Sequence, residues 1–130
     1  MAYFVQKEIE APFEEAVERV KEALSAEGFV VPAEVDVTGA FRSALDKDFR
    51  PYRILVTGNP KMAYDVMLQE PNIGVLMPLN VVVYEADDGE GSVVATIEPA
   101  VLGQLENQLL EQMQQVVSDV FDRVFERLSA

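Results

Sequence analysis

Apolar residues recur along this chain with two periods, and the switches between them divide it into strands and helices. Tyr3 to Ile9 alternate loosely, with Tyr3, Val5 and Ile9 on one side, which predicts a first strand. Pro12 then suits the first turn of a helix, and Glu14, Glu15 and Glu18 suit the positive end of its dipole. Phe13, Val17, Val20 and Leu24 follow at helical spacing and make one narrow apolar stripe, and Gly28 supplies a left-handed stop.

From Phe29 to Thr38 the period returns to two. Val31, Ala33, Val35 and Val37 alternate with Pro32, Glu34 and Asp36, predicting a half-buried strand whose Pro32 favours an edge position or a bulge. Phe41, Leu45 and Phe49 are four apart, so a short helical turn is expected within Gly39 to Arg50. Tyr52 to Thr57 reads as a third strand, broken by Gly58-Asn59-Pro60. Asn59 is a good N-cap and Pro60 a good first helical residue, predicting a short helix from Pro60 to about Gln69. Asn80 to Ala86 and Ser92 to Ile97 are β-rich, and the Asp87 to Gly91 segment between them has the residues of a hairpin turn.

The last segment, Ala100 to Leu128, reads as one long amphipathic helix. Its central stripe is Leu102, Leu105, Leu109, Met113, Val116, Val120 and Val124 at ~100° per residue. Leu110, Val117, Phe121, Phe125 and Leu128 widen the apolar arc to roughly 200°, more than a helix lying on one sheet requires. Two surfaces could take the excess: the first helix of the same chain, or a second subunit. The width and the length, on the order of 40 Å, favour a homodimer contact through Leu110, Val117, Phe121 and Phe125.

The element order β-α-β-β-(α)-β-β-α predicts an α+β fold: an antiparallel sheet of about five strands, with helices mainly on one face. No repeat or interdomain linker interrupts residues 1–130, so a single domain is expected. The other sheet face, to which Val82, Tyr84 and Leu55 are assigned, is a second candidate association surface.

Composition narrows the chemistry. Cysteine, histidine and tryptophan are absent from the 130 residues, which excludes thiol nucleophiles, disulfides, Cys/His metal sites and the usual acid–base residue near neutral pH. No metal or other cofactor is expected. The formal net charge is −13, from 23 acidic and 10 basic residues, so phosphate backbones and anionic membranes are repelled. The first residues lack the pattern of a signal peptide, and the apolar run Ile73 to Val83 is too short to span a bilayer. A cytoplasmic location is the corresponding expectation.

Weak candidate sites remain. Gly58-Asn59-Lys61 offers backbone N–H groups and an ammonium at a helix start, as small-anion sites do, although a capped glycine turn explains it more simply. Asn80 could present an amide to the same region. Tyr52, Glu85 and Glu98 could supply acid–base groups if they converge, but exposed strand residues account for them equally. The acidic stretches Asp46 to Asp48 and Asp87 to Glu90 do not follow the ligand order of a calcium loop.

Across nearly the whole chain, certain residues carry a resemblance. Pro51-Tyr52-Arg53-Ile54-Leu55, Asn59-Pro60 with Ala63, then Pro71, Gly74, Leu76, Pro78, Asn80 to Glu85 and Glu98-Pro99 resemble the domain of unknown function 302 family. The resemblance implies a TBP-like curved antiparallel sheet with helices, often a homodimer, and no established reaction. Many members carry a cysteine before the Asn-Pro and another before the strand that starts at Asn80. Gly58 and Leu79 stand there in this chain, and Ala44 replaces a common lysine, so a thiol or soft-metal role does not carry over.

Two functional readings follow. One is a non-catalytic homodimeric module that binds a small molecule or a protein. The other is an enzyme using carboxylate, Tyr or Lys61 chemistry on a small anionic substrate, which requires Asn59, Asn80 and a perturbed carboxylate in one pocket.

Overall fold

The first strand and first helix form as their patterns dictate. In the computed structural model, which describes residues 2–129, β1 (Phe4–Ile9) leads into α1 (Phe13–Ala26). The predicted stripe faces inward, with Val17, Val20 and Leu24 buried and Phe13 packed at the core's margin. Gly28 adopts φ +79° and ends the helix. The Phe29 N–H returns to the Leu24 carbonyl and the Gly28 N–H to the Ser25 carbonyl, closing the paired bonds typical of a glycine C-terminus.

β2 (Val30–Asp36) pairs antiparallel with β3 (Tyr52–Gly58), and its register shifts between Val30 and Ala33, on either side of Pro32. Pro32 thus sits at an irregularity of an edge strand, where the missing N–H is tolerated. The expected half-burial of this strand is corrected: β2 is exposed along most of its length. On the helix side the strand turns Glu34 to Lys21 of α1 rather than an apolar side chain, and only Val31 packs against the core, so alternation here marks an amphipathic edge rather than a core strand.

The second helix starts earlier than expected. α2 (Val37–Leu45) is capped by Asp36, whose carboxylate accepts the Gly39 N–H at 3.0 Å. α3 (Pro60–Gln69) has the predicted bounds, with the Asn59 side chain accepting the Met62 N–H, and a short 3-10 helix (Pro71–Val75) follows. β4 (Leu79–Glu85) and β5 (Ser92–Ile97) form the expected hairpin, with the Asp88 carboxylate accepting the Glu90 and Gly91 N–H groups in the turn.

All pairings are antiparallel, and the five strands run in the order β1-β5-β4-β3-β2 in an open sheet. One face carries Leu55, Val81, Val83 and Val94, all fully buried. Over it lie α1, which contacts β4, and the C-terminal helix, which contacts β1 and α1. The fold is therefore α+β, with the principal helices over one face.

The C-terminal segment departs from expectation. It is two helices, α4 (Ala100–Gly103) and α5 (Gln108–Ser129), not one rod from Ala100 to Leu128. Glu106 takes φ +52°, and the Asn107 carbonyl oxygen of the side chain accepts the Leu110 N–H, restarting the helix. The Glu98 carboxylate accepts the Ala100 N–H at the start of the short α4.

The turn also changes the phase of the apolar stripe. The buried residues of α5 are Leu110, Met113, Val117, Val120, Phe121, Val124 and Leu128. At ~100° per residue they occupy an arc of roughly 100°, which α1 and the sheet are sufficient to cover. Leu105 and Val116, assigned to the central stripe, are exposed instead. The proposed interface residues are corrected accordingly. Leu110, Val117 and Phe121 are 4%, 0% and 2% exposed within their own chain, and Phe125 packs against the same core. Leu110, Val117 and Phe121 are therefore not available as a surface, and Phe125 is half-buried.

An ion-pair clamp closes the α1–α5 contact near the end of α1. Glu27 accepts from Arg123 and, at 2.9 Å, from Arg127. These two arginines hold its carboxyl below the ordinary glutamate value of 4.5. A depressed folded-state value means the carboxyl binds protons more readily in the unfolded chain. Its stabilisation is therefore present above about pH 4.5 and is lost as pH falls through the lower folded value. Urea unfolding across this window should show a shallower acid limb for Glu27→Gln than for the parent.

Phe121→Ala should lower stability by about 3–5 kcal/mol in urea unfolding, because it leaves a cavity between α5 and its neighbours. Val116→Ala, on the exposed face of the same helix, should fall within about 0.5 kcal/mol of the parent. Similar losses for both would contradict the placement of α5.

Candidate functional site

Covering one face of the sheet leaves the other open, and strand parity decides what it displays. On β3, Tyr52, Ile54 and Val56 point away from the helices, whereas Leu55 and Thr57 point into the core. Leu55 was expected on the open face with Val82 and Tyr84; it is fully buried on the helix side, and Ile54 takes the outward place. The register aligns Tyr52 with Tyr84, Ile54 with Val82, Val82 with Ala95, and Ala95 with Gln6.

Between two aromatic pairs the face is depressed. Tyr52 and Tyr84 stack with centroids 5.4 Å apart and planes within 7°. Tyr3 and Phe4 meet edge to face at 4.9 Å. Val82 and the small Ala95 share the middle row, and Leu76, Pro78 and Asn80 also line the concavity, whose volume is about 470 Å³. Its lining contains no Asp, Glu, Lys or Arg.

The aromatic row continues beyond the concavity. Phe49 lies 5.9 Å from Tyr52, and Phe41 of α2 lies 5.2 Å from Phe49. The Arg50 guanidinium sits 5.6 Å from the Tyr84 ring centre. Burial, then the neighbouring Tyr84 and Tyr3 phenols, push the Tyr52 hydroxyl above its ordinary value.

The sequence-derived candidates are divided by this geometry. Tyr52 and Asn80 line the concavity. Asn59 does not, and both ends of its amide are occupied: Oδ1 accepts the Met62 N–H at 3.1 Å, and Nδ2 donates to the Gly28 carbonyl at 3.3 Å. It joins the start of α3 to the end of α1. Lys61 is exposed on the first turn of α3, outside the concavity. Gly58 lies beside Pro78, and a Cβ there would sit 3.9 Å from the Pro78 side chain, an ordinary contact. Glu85 lies outside the concavity at the end of β4, where its main chain bonds Pro51 and the Arg50 side chain.

The perturbed carboxylates are Glu27 and Asp88, one in the helix clamp and one in the hairpin turn, and neither lines the concavity. The convergence needed by an acid–base reading of Asn59, Asn80 and a shifted carboxylate is therefore not formed. Sequence reasoning passed over Tyr3, Phe4, Leu76, Ala95 and Ile97. The available signal was that β3, β4 and β5 carry apolar residues at both parities, so neither face of those strands is polar.

A family model described as domain of unknown function DUF302 matches residues 5–129. The chain belongs to the DUF302 family. This DUF302 domain is also similar to a crystal structure of an uncharacterized conserved DUF302 protein from Bacillus stearothermophilus, at 24% identity and a TM-score of 0.80. That likeness covers 99% of this chain and 98% of the other, and it concerns the fold alone. No curated protein matches the chain. Among the described residues, no helix is long and apolar enough to cross a membrane.

The Tyr52 phenol should titrate above an exposed tyrosine when ionisation is followed by ultraviolet absorbance. Tyr84→Phe should lower that value without restoring it fully, because burial is the larger cause. An ordinary Tyr52 titration in the parent would contradict the packing of the open face.

Proposed function

We propose that this DUF302 domain is a non-catalytic homodimeric module that binds a small organic molecule on the open face of its sheet. The carrying observation is the depression over Val82 and Ala95, walled by aromatic pairs on an otherwise uncovered apolar surface. Ligand sites are commonly concave, mostly apolar and provided with a few polar groups. Here the polar groups include the Tyr3, Tyr52 and Tyr84 hydroxyls and the Gln6 and Asn80 amides. The separation of Glu85, Lys61 and Asn59 from these groups favours binding over an acid–base reaction.

Pairing of two copies is assigned to α3 in place of the enclosed α5 residues. Tyr64, Met67 and Leu68 recur at helical spacing and are 67%, 40% and 67% exposed. The charges on that helix, Lys61 and Asp65, cancel. In a chain carrying −13, such a surface brings two copies together with little local repulsion.

Nile red, a neutral aromatic dye, should brighten and shift to the blue on the folded domain. Ala95→Leu, which fills the depression while keeping it apolar, should weaken dye binding about tenfold. Unchanged affinity would place the dye elsewhere and overturn the binding reading. Light scattering should give the mass of two chains for the parent and one for Leu68→Glu, and a single-chain mass for the parent would overturn the pairing.

A further inference from the structure

The chemistry of the concavity selects among ligand classes, and the selection rests on the binding reading above. Anionic ligands are disfavoured twice: the lining has no Lys or Arg to pair with a carboxylate or phosphate, and the chain around it carries −13. Metal ions and compact ammonium ions are disfavoured for a different reason. They hold water tightly, and no lining carboxylate is present to replace it.

Two classes remain, a neutral apolar molecule and a cation with diffuse, weakly hydrated charge. The electrostatics separate them. The surrounding excess of carboxylates attracts a cation, and the faces of the lining rings present negative π-density. One lining ring is already engaged, with the Arg50 guanidinium 5.6 Å from the Tyr84 centre, which leaves the Tyr3, Phe4 and Tyr52 rings to a ligand. The Asn80 amide adds a carbonyl oxygen to the lining, an acceptor for a donor group on such a ligand.

We infer that the occupant is an organic cation, a quaternary or substituted ammonium group, seated over Ala95 between the Tyr52–Tyr84 and Tyr3–Phe4 pairs. The methyl groups of such a cation cover apolar surface, while its charge is met by ring faces and by the acidic field. A neutral molecule of the same shape gains only the first contribution.

Choline and dimethylbutanol, its neutral isostere with carbon in place of nitrogen, separate the two contributions. Both are titrated into isotopically labelled protein and followed by amide and side-chain NMR shifts. Choline should bind about tenfold more tightly at low salt, with shifts on the open-face strands, and the preference should shrink as salt screens the field. Tyr3→Leu should reduce the choline preference severalfold, whereas Tyr3→Phe should retain it, because the ring and not the hydroxyl meets the charge. The NMR spectrum of each variant checks that it is folded.

Equal affinities for choline and dimethylbutanol would overturn the cation assignment and leave the binding face standing. Nile red binding that Ala95→Leu blocks, without choline binding, would do the same. Absence of all three ligands from the open face would overturn the binding face as well. A choline preference that survives Tyr3→Leu and high salt would overturn the assignment to the rings and the field.

Discussion

One-sided burial of the sheet is the constraint on which the other features depend. Leu55, Val81, Val83 and Val94 form a continuous apolar floor, closed by Val17, Val20 and Leu24 of α1 and by Val117, Val120 and Val124 of α5. At roughly 25 cal/mol per Å² of apolar surface buried, a layer of this kind dominates the stability of a small domain. Two helices occupy that face and leave the opposite one without a roof. The strands nevertheless carry apolar side chains there, and these shelter one another by cross-strand pairing, as Tyr52 and Tyr84 do.

Polar contacts then position the helices. Glu27 between Arg123 and Arg127 fixes one end of α5 to the end of α1, and Arg19 reaches the Leu128 carbonyl from the same helix. At the other end, the Asn107 amide donates to Glu70, tying the start of α5 to the end of α3. The buried hydroxyls are satisfied too: Thr57 donates to the Val30 carbonyl and Ser92 to the Ala11 carbonyl. These bonds contribute orientation more than net energy, because each replaces a bond to water.

The candidate site follows from the same layering. Ala95 is small where its neighbours in the rows above and below are aromatic or branched, so the open face is hollow at one place rather than evenly ridged. Acidic side chains dominate the chain's charge, yet none lines the hollow. An uncharged aromatic recess within an acidic molecule is a combination that separates ligands by charge diffuseness as well as by shape.

Local chemistry was legible in the residues themselves. The stripe of α1, its stop at Gly28, the Asn59–Pro60 start of α3, the edge character of β2 and the Asp87–Gly91 hairpin turn all depend on neighbours a few positions away. The bend before α5 also had a local signal, Asn107 as an N-cap, but the leucines on either side kept the apolar period going through it. What the chain alone left open was which surface each apolar residue meets. Leu110, Val117 and Phe121 have the same hydrophobicity facing α1 as they would facing another subunit, and Leu55 and Ile54 differ only by parity from a distant reference strand. Tertiary packing decided those questions, because covering an apolar surface is non-directional: a sequence states that it must be covered, and only the arrangement of layers states by what.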